Sequence, residues 1–228
     1  MTSPNGDVLA AAVATVAKTF SGMPAQPDES GCGRCFDPGE VELLQTPDIP
    51  LPADLVRRVA QKDPFHWDDQ PAIIRRVLPQ LVAMLAEGVD EPALIARGLA
   101  AAGWSQWPDE QAGAVAGFLA VWWTQTLRST SPNISAYEVF ESCATASSSV
   151  SPWLTQWEAE KSPIARQHLA DSLGYWREEL ISDYSPFTWW WGTEAEEQAA
   201  WSEVKTWVTG QTLQPKCQKA WILPDPQS

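Results

Sequence analysis

Apolar residues recur every three or four positions along most of this chain, and almost nowhere alternate with the period of two that a half-buried strand requires. In the stretch 72–88, AIIRRVLPQLVAMLAEG, the stripe is Ile74, Leu78, Leu81 and Leu85, and Gly88 closes it. Leu55, Val56 and Val59 form a similar face after Pro52, with Arg57, Arg58 and Lys62 turned outward. Helix starts are marked by Ser or Asp beside Pro, because Pro lacks only an N–H that the first helical turn leaves unpaired. Asp37-Pro38 with Glu40 makes a D-x-x-E capping box for a short helix over about 38–46. The same grammar places helices after Asp69 and Pro71, Asp90 and Pro92, Pro108, Ser135, Ser151-Pro152 and Ser162-Pro163, the last running unbroken through 164–181. A final helix is expected over 194–209, acid-rich at its start as the helix dipole favours. Only FTWWWG (187–192) and AWILP (220–224) have strand-like composition, and both are short and bounded by Pro or Gly.

The expected fold class is therefore all-α, as an irregular helical bundle or a HEAT-like stack of helix pairs. Starts near 71, 108, 152 and 194 recur about every forty residues, the rhythm of stacked pairs, yet the sequences themselves do not repeat. The linkers are short, and SSSVSP (147–152) reads as a loop, so residues 1–228 are expected to form one all-helical domain.

Composition excludes more than it assigns. A net charge of −14, spread evenly on either side of Arg128, repels phosphate backbones and argues against direct nucleic-acid binding. It suits solubility, or a partner that is basic. The run LAAAVATVA (8–16) follows Asp7 and no Lys or Arg, unlike a secretory signal, and no stretch reaches the roughly 20 apolar residues of a membrane span. A cytoplasmic location with reduced thiols, and no membrane partner, is the expectation.

The order of features in residues 8–86 resembles a family of bacterial helical proteins. The shared features are an opening helix ending in TF, C-x-x-C, a helix with LLQTP, a P-x-x-L helix, and WDD followed by an LPQL helix. HLADSLGYW (168–176) is similar to a further segment of that family. The resemblance implies an all-helical fold and brings no activity and no catalytic residue with it.

The residues with chemistry are few. Cys32-Gly33-Arg34-Cys35 could serve redox exchange, but a redox pair sits at a helix N-terminus after a strand, whereas here Asp37 takes the cap and no strand precedes. Without the dipole, no lowering of the thiol pKa is expected. The pair could instead give half of a structural zinc site, which needs two more ligands. Cys143, Cys217, His66 and His168 are the candidates, and Cys143 is the first choice because it lies on a helix face. The remaining reading is plain thiols that fix a turn, with no cofactor at all. His66 and His168 are expected to pack rather than to catalyse, since no nucleophile elbow, H-E-x-x-H or phosphate loop accompanies them. Asp68 and Asp69 are acids of the kind a helix N-terminus selects.

All fourteen Trp except Trp67 lie between 104 and 221. Trp153 and Trp157 share a helix face, and the adjacent Trp122 and Trp123 cannot face the same way. Three consecutive indoles, Trp189, Trp190 and Trp191, exceed what so short a segment can bury, which makes them the candidate binding residues. Three functions follow: an acidic helical adaptor that binds another protein through this loop, a small-molecule module with a Trp-lined groove, and a metal-dependent enzyme using the Cys and His residues. The first is the leading expectation, with no catalytic residue assigned.

Overall fold

The computed structural model describes residues 4–182 and 184–212. Among them are α1 Pro4–Thr19, α2 Pro38–Gln45, α3 Ala53–Gln61, α4 Gln70–Glu87, α5 Pro92–Ala101, α6 Asp109–Arg128, α7 Ala136–Ser147, α8 Ser151–Ala159, α9 Pro163–Tyr175, α10 Arg177–Ser182 and α11 Glu194–Thr212. Two 3-10 turns, Pro64–His66 and Trp104–Gln106, precede α4 and α6. No strand occurs among the described residues. FTWWWG is irregular, and AWILP lies outside the described residues.

Side-chain caps fix several of the helix starts. Asp37 and Glu40 exchange both bonds of the capping box, Oδ1 accepting from the Glu40 N–H at 2.9 Å and Glu40 Oε2 from the Asp37 N–H at 3.1 Å. Asp69 Oδ1 accepts from the Ala72 N–H and Ser162 Oγ from the Ala165 N–H. Two expectations change. Ser151 is the first helical residue of α8 rather than its cap, and its hydroxyl instead donates to Glu203 on α11 at 2.6 Å. The helix expected through 164–181 lapses at Trp176, where ψ is 11° and the chain turns to bury that indole completely.

Helix α1 packs against both α4 and α6, and α5 packs against α3 and α7. A first helix seated on the sixth is not the nearest-neighbour order of a solenoid; the fold is the irregular bundle. Its buried residues form one contiguous cluster from Leu9 to Val208. Helix α6 runs through the middle, which is how adjacent indoles about 100° apart are both buried. Trp122 faces the gap shared with Leu9 and Leu85, and Trp123 meets Phe140 of α7 and Trp157 of α8.

Gly98 marks the closest approach of two helices: a Cβ there would stand 2.5 Å from the Ala60 carbonyl oxygen of α3. Gly98→Ala is therefore expected to destabilise the protein by about 1–3 kcal/mol through overpacking, measured by urea unfolding. No loss would mean that α3 and α5 separate freely.

Candidate metal centre

The C-x-x-C pair sits in a tight turn ahead of α2. The Cys35 and Phe36 N–H groups both donate to the Cys32 carbonyl, at 2.8 and 3.0 Å, which folds the two thiols to one side. Facing them is the 3-10 turn Pro64–His66. The two segments are joined by a buried carboxylate. Glu29 Oε1 accepts from the Gly31 and Asp68 N–H groups at 2.8 and 3.1 Å, and Oε2 from the Asp69 N–H at 3.0 Å. Ser30 Oγ donates to Asp68 at 2.9 Å. Phe36 packs on Trp67 with ring centroids 4.3 Å apart, and Gly31, at φ 60°, leaves room for the Trp67 ring that a Cβ would strike at 2.9 Å. Arg58 pairs with Glu40, lies over the Phe36 ring and donates to the Cys35 carbonyl.

This scaffold brings one donor atom each of Cys32, Cys35 and His66 within 4.8 Å of one another, all three side chains half-buried. The Cys32 thiol is lowered to about 7, first by the Arg34 backbone N–H and then by hydrogen bonds to His66 and Cys35. The expectation of an unshifted thiol is thus corrected: the donors of the turn do what a helix dipole would otherwise do.

The cluster also corrects the expected third ligand. Cys143 lies in the core of α7, fully buried, its thiol directed at the Leu119 carbonyl and its pKa pushed up by burial. It belongs to the packing of α6 on α7 and is no part of the group at Cys32 and Cys35. A helix-face position reads the same in sequence whether the face meets a site or the core. His66, named only among further candidates, is the residue whose donor atom lies within 4.8 Å of both thiols. His168 is held by a 2.8 Å hydrogen bond between Nε2 and the Ser129 carbonyl, a structural role. Asp68 and Asp69 are spent on Ser30 and on capping α4. Cys217 lies outside the described residues.

The three consecutive indoles are all half-buried and do different things. Trp191 lies under the Arg97 guanidinium at 5.4 Å, and Trp190 packs on Phe187. Trp189 lines a cleft beside Glu138 and Glu141 of α7. Sequence reasoning passed over Glu141, although Glu138, Glu141 and Thr145 share one helical face at three-and-four spacing. Glu141 is half-buried and accepts a 2.8 Å bond from Trp176 Nε1. Burial raises its pKa from 4.5 to about 8, opposed by the Trp176 bond and reinforced by Glu138 and Glu179.

A raised carboxyl pKa favours the folded state fully below the unfolded value, and that contribution is lost as pH rises through about 8. Glu141→Gln should therefore leave stability unchanged near pH 4 and raise it by about 1–3 kcal/mol at pH 8.5. Paired denaturant titrations at the two pH values check this, and an equal effect at both would contradict it.

Among the described helices none is long and apolar enough to cross a membrane. Comparison with family models, with curated proteins and with solved structures finds no match for this chain.

Proposed function

We propose that this chain is a zinc-binding helical protein in which Cys32, Cys35 and His66 hold one ion. The observation that carries the reading is the convergence of three donors within 4.8 Å from two segments that Glu29 already fastens together. Zn–S bonds of about 2.3 Å and Zn–N bonds of about 2.0 Å in a tetrahedron set donors roughly 3.5–3.8 Å apart, a closure within reach of side-chain rotation. Two thiolates and an imidazole suit zinc, and disfavour magnesium or calcium, which take oxygen ligands. The ion would anchor the turn before α2 to the turn before α4, with its fourth position open to water or to a donor from a bound molecule.

The test is metal content of protein purified without chelator, with thiols counted before and after denaturation. About one zinc per chain, lost in Cys35→Ser and in His66→Ala, supports the reading. Metal-free protein whose Cys32 and Cys35 cycle as a disulfide, or whose zinc survives loss of His66, overturns it.

The adaptor role is the second reading, and Phe65 favours it. This phenylalanine is 90% exposed in the 3-10 turn that carries His66, so the metal would fix an aromatic anchor facing solvent. Trp189, Trp190 and Trp191 support docking less strongly, since each is half-buried and Trp191 already carries Arg97. If the reading is right, a protein that co-purifies with the chain from its native host is lost in Phe65→Ser. Its retention there and loss in Trp189→Ala would move the docking surface to the tryptophan loop.

A further inference from the structure

The cleft beside Trp189, about 160 Å³ in volume, lies between the start of α5, one face of α7 and the loop before α11. That is room for on the order of five waters, enough for a headgroup and a short stem and too small for a whole metabolite. Its walls combine two kinds of group. Tyr175, Phe187 and Trp189 are aromatic, with Tyr175 held in place by stacking on Tyr137 at 3.7 Å. Glu138 and Glu141 supply carboxyls from α7, Glu91 adds a third, and no Lys or Arg lines the cleft among the described residues.

Acidity alone would say little, but a second observation points to a ligand. Thr145 is 1% exposed, lines this cleft, and its Oγ1 has no hydrogen-bond partner. Thr126, Ser142 and Ser147 each settle their hydroxyl on the carbonyl four residues back. Thr145, on the same helix as two of them, does not, and a buried unpaired hydroxyl costs stability unless something else satisfies it.

The carboxyls here do not converge as metal ligands do, for the Cys32, Cys35 and His66 group is the one set of three close donors among the described residues. Spread carboxyls with aromatic walls fit an organic cation instead: the N–H groups meet Glu141 and Thr145, and the rings cover the methylene stem.

We propose that this cleft binds a primary alkylammonium group, with Glu141 and Thr145 as its acceptors and Trp189 as its aromatic wall. The site is separate from the zinc centre and does not depend on it. A free aliphatic amine and a lysine side chain both present this ammonium and share the recognised chemistry. Binding requires the Glu141 carboxyl to give up its proton, against burial and the neighbouring Glu138 and Glu179, with Trp176 Nε1 stabilising the anion; Glu91, Tyr175 and Tyr137 also face this region. Affinity therefore rises with pH until Glu141 is ionised.

The test titrates the full chain with n-butylamine, with n-butanol as the neutral control, and with a short peptide bearing one lysine, by calorimetry and tryptophan fluorescence. Saturable binding of n-butylamine that is tighter at pH 8.5 than at pH 6.5, with no binding of n-butanol, is expected. Glu141→Gln should weaken it by about tenfold or more, the cost of a lost charge-assisted bond, and Thr145→Val should weaken it several-fold. The peptide binding as well as the amine would identify a lysine on a partner as the source, and the amine alone binding would identify a free amine. Circular dichroism on each variant confirms that the fold is kept. No saturable amine binding at pH 8.5, equal binding of n-butanol, or undiminished binding by folded Glu141→Gln would overturn the proposal.

Discussion

Replacing Trp123 with Ala is expected to lower the stability of the protein by about 3–5 kcal/mol, the range for truncating a large buried aromatic. The indole is fully buried on α6 and donates its N–H to the Trp153 carbonyl at 3.1 Å. It stands edge-on to Trp157 at 5.0 Å and within 5.8 Å of Phe140. From there the contacts continue: Trp157 meets Trp176 and Trp207, Trp176 meets Trp201, and Phe187 meets Trp201. One aromatic cluster thus ties α6, α7, α8, the α9–α10 break and α11 together. Removing this indole leaves a cavity bordered by Phe140 and Trp157, rings that cannot both move in, and it takes a hydrogen bond from the Trp153 carbonyl. Equilibrium unfolding in urea measures the loss. A decrease below about 1 kcal/mol, the scale of a tolerated core swap, would show that the cluster closes over the gap and does not fix the helices.

The second large effect concerns the zinc ion proposed at Cys32, Cys35 and His66. With free zinc at about a thousand times its dissociation constant, binding to the native state alone adds about 4 kcal/mol. Removing the ion with a chelator should cost that amount and lower the melting temperature. It should not unfold the chain, in contrast to a zinc finger. The reason is the Glu29 clamp, with the Phe36–Trp67 pair, which holds the two turns together without the ion. Cys35→Ser should reduce zinc affinity by more than the 10–100-fold that outer-shell changes typically cost, and abolish the chelator's effect on melting. A chelator effect that persists in Cys35→Ser would place the metal elsewhere. Complete unfolding on chelation would mean that Glu29 contributes little.

Helix existence was legible along the chain because capping is local. Asp37 with Glu40, Asp69 before Pro71 and Ser162 before Pro163 each satisfy an N–H group three residues away, so the sequence window contains donor and acceptor together. The failures are local rules overridden by distant partners. Ser151 gave up its cap for Glu203, and the helix expected through 164–181 lapsed where Trp176 entered the aromatic cluster. The same holds for the tryptophan loop. Its composition marked it as unusual, but only Arg97, Phe187 and the α7 acids decide what each indole does.

By itself the sequence determined an all-helical chain, an evenly acidic charge and a pair of thiols outside a helix cap, because periodicity, capping and spacing act over a few residues; it did not foresee the long connection between α1 and α2, which the Glu29 contacts hold in place. Tertiary structure alone decided the rest. His66 reaches Cys32 and Cys35 only because Glu29 joins segments some forty positions apart, and Cys143 is lost to the core because α6 crosses its face. Glu141 acquires its raised pKa from burial, with the charges of Glu138 and of Glu179 on α10 adding to it. Burial and the meeting of remote side chains are properties of packed surfaces, and no spacing rule along one helix contains the identity of the surface it will face.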